Sequence, residues 1–273
     1  MRRSPFLILL LLVVWIGVLI GPGQPASADV SEMELQEIHE LWQTSAHALA
    51  DVNCSSCHLQ GEPKAFVAQP NHESCQSCHE SSVDTFLLGK HGIRLLEGQS
   101  PLTPAMARLP MKADVHNRQM NCNACHNVHS VNTVQASVDS CLSCHNDTHS
   151  LNYENSKHAE LFAEDKALPR PSNQSVSCAT CHLPRQNIGS DSTPNVVVNH
   201  NNTFTLLPRD RMVSEVCMNC HGMEYAYNSI FDDELVTQNF TRPPSLQLQT
   251  LDMVRVLEAK RSGGSTGEAE GAE

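Results

Sequence analysis

The sequence predicts a mainly α-helical fold with extensive irregular loops and little or no sheet. Apolar residues recur at helical spacing only over short segments, as at Leu35, Ile38 and Leu41. Runs with the alternation typical of strands are hard to find, and proline and glycine interrupt the chain, most clearly across 99–110. Only 4% of the residues are aromatic, which is too few for an ordinary apolar core. Something other than side chains is therefore expected to fill much of the interior.

The motif Cys-x-x-Cys-His occurs six times and uses all 12 cysteines. The copies are Cys54/Cys57/His58, Cys75/Cys78/His79, Cys122/Cys125/His126, Cys141/Cys144/His145, Cys178/Cys181/His182 and Cys217/Cys220/His221, called motifs 1 to 6 below. Cysteines at i and i+3 lie on one face of a helical turn, so both can reach the same edge of one bound group. This is the attachment signature of c-type haem, in which two thioethers hold the porphyrin and the histidine is the proximal iron ligand. The sequence predicts six covalently bound haem c groups.

Two other interpretations of the cysteines fit less well. Disulfides or redox-active Cys-x-x-Cys pairs would not need a histidine after all six pairs. Zinc would need a fourth ligand at each site and favours other spacings. With haem, the predicted fold becomes a set of short helices wrapped around a stack of porphyrins. Since a cofactor bound only by the folded chain adds to its stability, the apoprotein is expected to be poorly folded.

Nine of the 15 histidines lie outside the motifs and are candidates for the sixth, distal position on iron. The predicted metal ligands of this kind are His47, His72, His91, His116, His129, His149, His158 and His200. His39 is interpreted as a solvated residue. Met120, Met218 and Met223 lie near motifs and are alternative ligands, with packing as their other interpretation.

The chain contains an internal duplication of a two-haem unit, residues 40–98 and 111–166. His47 precedes motif 1 by seven residues, and His116 precedes motif 3 by six. Gly-Lys-His ending at His91 is matched by Ser-Lys-His ending at His158. The duplication predicts equivalent ligand roles within each matched pair. The multihaem domain is expected to span 29–261, with 167–261 carrying two further haems, and 262–273 is expected to be disordered.

Residues 1–28 are typical of a secretory signal peptide. Arg2 and Arg3 form the positive region, 6–20 is apolar, and Ala26-Ser27-Ala28 is a cleavage site. The protein is therefore expected in the periplasm or outside the cell, where c-type haem is attached in bacteria. The alternative is an uncleaved anchor, although 15 apolar residues are short for a membrane span. Membrane association is expected only if this segment is retained.

The formal net charge of −12 bears on the partners. It argues against nucleic acid, whose phosphates require a basic surface. It fits docking with a basic redox protein. Acidity that only confers solubility is an equal alternative.

The six motifs, together with Trp-x-x-Ser-x-His at 42–47 and Ser-Lys-His at 156–158, resemble the multihaem cytochromes c related to cytochrome c554, hydroxylamine oxidoreductase and pentahaem nitrite reductase. The resemblance covers roughly residues 40–230. It implies haem pairs that stack in parallel or meet at right angles as a wire, with bis-histidine ligation at most irons.

Departures from that group narrow the expected function. The nitrite reductases use Cys-x-x-Cys-Lys at the active haem, and this chain has no such motif. The hydroxylamine oxidoreductases carry eight haems and a crosslinked tyrosine, whereas Tyr153, Tyr225 and Tyr227 cannot be mapped onto that role. Transfer of electrons between redox partner proteins is therefore favoured, with no catalytic residue assigned. The alternatives are an oxidoreductase acting on a small nitrogen or sulfur compound at one open haem, and a membrane-anchored quinol oxidiser.

Overall fold

The computed structural model describes residues 30–168, 175–190 and 192–249, together with 252 and 255. In this part of the chain, short helices and two small antiparallel sheets are joined by long irregular segments. The longest helix has 12 residues. The predicted mainly α-helical fold with little sheet is confirmed. The predicted signal peptide at 1–28, the tail at 262–273 and a second predicted linker at 169–173 lie outside the described residues.

Fifteen α-helices are described. They are α1 (Glu32–Gln43), α2 (Ala46–Leu49), α3 (Cys54–His58), α4 (Glu73–Gln76), α5 (Glu80–Leu88), α6 (Ile93–Leu96), α7 (Cys122–Cys125), α8 (Thr133–Ser137), α9 (Asp139–Leu142), α10 (Thr148–Asn152), α11 (Lys157–Lys166), α12 (Cys178–His182), α13 (Asp210–Glu215), α14 (Met223–Phe231) and α15 (Asp233–Thr237). Within the described ranges, no helix combines the length and apolar character that a membrane span requires.

Short 3-10 turns and two hairpins complete the secondary structure. The 3-10 turns are Pro104–Met106, Ala113–Val115, Tyr153–Asn155 and Cys217–Asn219. The strands are β1 (Leu59–Gln60), β2 (Ala65–Phe66), β3 (Arg185–Asn187) and β4 (Val196–Val198). β1 pairs with β2, and β3 pairs with β4, both antiparallel.

The N-terminal helical segment is divided where serine offers a second cap. At the start of α1, the Ser31 hydroxyl accepts from the Glu34 amide, and the Glu34 carboxylate accepts from the Ser31 amide at 2.9 Å. This reciprocal capping box satisfies two donors that a helix start leaves unpaired. Ser45 then accepts from the Ala48 amide at 3.2 Å and starts α2. This second helix carries His47 into the interior.

A turn with glycine at both ends separates α5 from α6 and carries His91. A Cβ placed on Gly92 would lie 2.3 Å from the Phe86 carbonyl oxygen, so only glycine allows this approach. A Cβ on Gly89 would lie 2.7 Å from the Asn202 side-chain oxygen. The backbone thereby folds tightly against its own preceding helix, and His91 lies on the turn.

The buried apolar cluster in the described residues is small and lies near the C-terminal motifs. It consists of Met212, Val213, Ala226 and Ile230. Cysteines of motifs 5 and 6, Cys181 and Cys217, pack against it. The apolar side chains thus support two attachment motifs and form no separate core.

Candidate haem-binding site

Each of the six motifs forms one helical turn, as their i, i+3 spacing predicts. Motifs 1 and 5 are wholly helical as α3 and α12. In the other four, the histidine amide donates to the carbonyl of the first cysteine, at distances between 2.8 and 3.0 Å. Polar residues cap these turns: the Asn53 side chain accepts from the Ser56 amide, and the Ser177 hydroxyl accepts from the Thr180 amide. The local sequence therefore fixes both thiols and the histidine of each motif on one short turn.

The structure places one histidine from outside the motifs opposite each motif histidine. Ring centroids within these pairs are separated by 6.1 to 6.4 Å. The pairs are His58–His129, His79–His47, His126–His200, His145–His91, His182–His149 and His221–His158. Each partner histidine serves one motif, and five of the pairs join segments whose neighbouring motifs differ. The separation is too long for ring stacking and leaves a gap of nearly constant width between the facing rings.

Hydrogen bonds to backbone carbonyls orient four of these rings. The Nδ1 atoms of His47, His58, His149 and His200 lie 3.2, 2.7, 2.5 and 3.0 Å from the carbonyl oxygens of Val128, Val67, Val236 and Val198. An Nδ1–H donating to a carbonyl leaves Nε2 with a free lone pair, which is the arrangement of a metal-binding imidazole. Nε2 of His149 also lies 3.4 Å from the Asn239 amide nitrogen. No sequence signal identifies such carbonyls, because any residue can supply one.

Burial keeps the facing rings neutral. Desolvation, followed by the neighbouring His145, lowers the pKa of His91 to about 4. Desolvation likewise lowers the pKa of His182 to about 4, with His149 as the next cause. The pKa values of His126, His129, His158 and His200 are lowered in the same way, first by burial. The neutral imidazole is the form that binds a metal.

A cavity of about 530 Å³ includes the His91–His145 pair in its wall. Its lining contains both thiols of motif 4, Cys141 and Cys144, and the second thiol of motif 3, Cys125. The remaining wall is mostly apolar and comes from Leu102, Thr103, Pro104, Ala107, Met111, Met120, Ala124 and Ser140. The cavity thus combines two facing imidazoles, two thiols on one helical turn and apolar walls, which together fit a flat apolar group attached through sulfur.

Two thiol–thiol contacts join motifs that follow each other in the chain. A hydrogen bond between Cys75 of motif 2 and Cys122 of motif 3 raises the pKa of Cys75 and lowers that of Cys122. The same contact joins Cys141 of motif 4 to Cys178 of motif 5, where it raises the pKa of Cys141. Motifs 2 and 3, and motifs 4 and 5, are therefore in direct contact.

The remaining consecutive motifs are also neighbours. Burial and then the nearby thiols of motif 2 raise the pKa of Cys57 in motif 1. Burial and then the thiols of motif 4 raise the pKa of Cys125 to about 11. Burial and then Cys217 of motif 6 raise the pKa of Cys181 to about 12. Together with the two direct contacts, these neighbours order the six motifs in space as they are ordered in the sequence.

Three histidines of the described residues have no motif histidine opposite them. His39 is exposed and stacks on Trp42 at 5.9 Å between centroids. His116 is exposed and follows the 3-10 turn at Ala113–Val115. His72 is half-buried, and its Nδ1 atom is enclosed without a hydrogen-bond partner. The structure therefore brings together six of the eight predicted distal ligands and leaves out His72 and His116.

The three candidate methionines lie away from the gaps between paired rings or in their walls. Met120 is buried and lines the cavity beside His91. Met218 and Met223 are exposed. The described residues contain no group of three or more His, Cys, Asp or Glu side chains arranged around a common point.

Neither a protein-family model nor a curated protein matches the chain. Among solved structures, it is similar to a chain of the reducing HAO-like protein complex of Kuenenia stuttgartiensis, with 16% sequence identity and a TM-score of 0.48. The matched region covers 88% of this chain and 62% of that chain. This chain thus matches less than two thirds of its neighbour's length.

Proposed function

We propose that the protein is a hexahaem c-type cytochrome that carries electrons between redox partner proteins. The observation that carries this proposal is the facing of all six motif histidines by six other histidines at 6.1 to 6.4 Å. An imidazole nitrogen binds a first-row metal at about 2 Å and lies about 1 Å from its ring centre, so two rings on opposite sides of one iron have centres about 6 Å apart. The observed gaps have this width at every motif.

The donor sets fit haem c in number and type. Each motif supplies two thiols for thioether bonds and one imidazole, and each facing histidine supplies a second imidazole. The porphyrin, when bound, supplies the remaining four nitrogen donors and the reversible one-electron couple of iron. The proposed distal ligands are His129, His47, His200, His91, His149 and His158 for motifs 1 to 6. His72 and His116 are omitted because neither faces a motif histidine.

The pairing favours electron transfer over chemistry on a bound substrate. Two strong ligands on opposite faces leave an iron no free position, and they hold it low-spin in both oxidation states. Substrate chemistry at haem needs an open distal face. Since each motif histidine has a facing partner, the chain's own residues close all six sites.

The spatial order of the motifs supports a single path from motif 1 to motif 6. Consecutive motifs are neighbours, so each proposed haem lies beside the haem of the next motif. Thiols at the ends of the row are exposed, as Cys54, Cys78 and Cys220 show, whereas Cys144 in the middle is buried. Electrons can therefore enter and leave at the two ends, where partner proteins can approach.

Export completes the proposal. The signal-peptide pattern of residues 1–28 supports a periplasmic or extracellular location, with partners in the same compartment or at the membrane surface. Mass spectrometry of the mature protein tests this: a chain beginning at Asp29 is expected, and a retained N-terminal segment would favour the anchored quinol oxidiser.

Low-temperature EPR of the oxidised holoprotein, with a haem count against protein concentration, tests the ligation. We expect six haems per chain, low-spin ferric signals and no high-spin signal. Cyanide, nitrite and hydroxylamine are expected to leave the visible spectrum unchanged. A high-spin signal that shifts with one of these ligands would establish an open iron and overturn the closed-site assignment. Fewer than six haems would overturn the hexahaem assignment.

A further inference from the structure

Negative charge is concentrated around motifs 1 and 2. Residues 30–84 contain nine acidic residues and one basic residue, whereas the whole chain has 30 and 18. The nine are Glu32, Glu34, Glu37, Glu40, Asp51, Glu62, Glu73, Glu80 and Asp84. This segment of 55 residues thus has a net charge of −8, out of −12 for the chain.

These nine carboxylates are exposed, and none forms an ion pair within the described residues. Their side-chain hydrogen bonds go to neutral groups, such as Gln36 to Glu40 and Gln76 to Asp84. The segment after motif 5 differs. There Arg209 pairs with Asp233 at 2.6 Å, and Arg242 pairs with Asp232 at 3.1 Å. The acidic charge near motifs 1 and 2 is therefore unbalanced, while that near motif 6 is largely compensated.

Exposed apolar side chains lie beside motif 1 at the same end of the molecule. Leu59 and Phe66 are opposite each other in the β1–β2 hairpin and are 40% and 71% exposed. The Phe66 ring stacks on the motif histidine His58, with centroids 5.4 Å apart and planes 11° apart. Leu49, just before motif 1, is 83% exposed. An exposed aromatic ring thus lies directly on a proposed iron ligand.

We propose that this surface, the motif-1 face, is the docking site for a basic redox protein. The motif-1 face consists of the apolar residues Leu49, Leu59 and Phe66 with the surrounding carboxylates of Asp51, Glu62, Glu73 and Glu80. The inference rests on the proposed electron-transfer function. An apolar centre excludes water close to the haem edge, and unpaired surface charges attract an oppositely charged partner. The partner is therefore a protein whose own electron-transfer edge is ringed by lysine or arginine.

The charge concentration assigns different roles to the two ends of the haem row. At the motif-1 face, long-range attraction speeds encounter and is weakened by salt. At the motif-6 end, carboxylates are tied to arginines, and association there depends little on ionic strength. One electron passes from a ferrous iron of this protein to the ferric iron of the partner, or in the reverse direction, with no bond made or broken.

Stopped-flow oxidation of the fully reduced holoprotein tests the proposal, with ferric lysine-rich mitochondrial cytochrome c as the cationic probe. The test variant combines Asp51→Asn, Glu62→Gln, Glu73→Gln and Glu80→Gln. The matched control removes the same charge elsewhere, with Glu97→Gln, Asp114→Asn, Asp210→Asn and Glu215→Gln. At low ionic strength we expect the test variant to lose about tenfold in second-order rate, and the control less than about twofold. Raising the ionic strength should abolish the difference between the variants.

The outcomes separate this inference from the function on which it rests. Equal losses in both variants would show that net charge alone matters and would overturn the motif-1 face, as would an unchanged rate in the test variant. Ferricyanide, an anionic oxidant, should not be slowed by the test substitutions; slowing would mean that the haems themselves were disturbed and would also count against the proposal. Haem count and EPR of the same preparations report on the six closed irons. An open iron with intact selectivity would overturn only the proposed function.

Discussion

The two copies of the duplicated unit, 40–98 and 111–166, use one matched histidine pair in the same way and the other differently. His91 and His158 each face the histidine two motifs farther along the chain, His145 and His221. His47 faces His79 within its own copy. His116, its counterpart, is exposed, because His145 of its own copy is already faced by His91 from the first.

The same Lys-His step also lies in different local structures. In the first copy, Lys90-His91 lies in the Gly89–Gly92 turn between α5 and α6. In the second copy, Lys157-His158 starts the continuous helix α11. Both arrangements place an imidazole opposite a motif histidine at 6.2 or 6.3 Å. The position of the ring relative to a distant motif is thus retained while the backbone that carries it is not.

The histidines without counterparts in the first copy connect the copies to other segments. His129 reaches back to His58 of motif 1, and His149 reaches forward to His182 of motif 5. Under the proposed ligation, each iron therefore links separate parts of the chain, and no copy has a complete ligand set of its own.

The largest expected effect comes from removing a matched ligand. His91→Ala and His158→Ala should each open one of the six irons and give a high-spin ferric signal from a single haem, because no second imidazole remains opposite the motif histidine. His116→Ala is the matched control in the second copy and should leave the EPR spectrum unchanged. A high-spin signal in His116→Ala would restore it as a ligand and break the comparison. Unchanged low-spin spectra in the first two variants would remove His91 and His158.

The sequence predicts the attachment motifs and their helical turns well, because both depend on residues within one turn. It also predicts six of the histidines that face them, since an excess of histidine beside cysteine motifs is itself informative. It does not predict which histidine faces which motif. His200 and His126 are joined by folding over 74 intervening positions, and no local pattern records that approach.

Local breaks in the predicted helices have the same origin. The sequence predicts one helix over 31–51 and another over 84–97, and the structure divides both. Hydrophobic spacing continues across each break, but Ser45 and Gly92 favour a cap and a close turn there. The segment 186–199, expected as a polar loop, contains the β3–β4 hairpin. Three consecutive valines at Val196–Val198 favour a strand that the polar surroundings concealed.

The turn around His91 allows a smaller test of the difference between the copies. Gly92→Ala should lower stability by about 1–3 kcal/mol, because the new Cβ would meet the Phe86 backbone. The expected fall in Tm is about 3–10 °C. Gly222→Ala is the control, since a Cβ there has no atom within 4 Å, and its expected effect is below about 0.5 kcal/mol. Equal Tm values for both variants would show that the turn tolerates a side chain and that glycine is not what separates the copies here.

The smallest expected effect concerns a feature that the two ligand-bearing helices share. Ser45 and Ser156 each lie two residues before a facing histidine, are almost fully buried, and accept from the amides of Ala48 and Ala159 at 3.2 and 3.1 Å. Ser45→Ala and Ser156→Ala should each cost about 1 kcal/mol, because the helix start loses its cap. Thermal unfolding followed by far-UV circular dichroism should show a fall in Tm of about 2–4 °C for each. The threonine variants keep the hydroxyl and should recover most of the loss. Ser156 also donates to the Tyr153 carbonyl at 2.7 Å, so its alanine variant should be the less stable of the two. The reverse order would show that the cap before His47 carries more of the fold than the cap before His158, and that the two helices are not equivalent supports for their ligands.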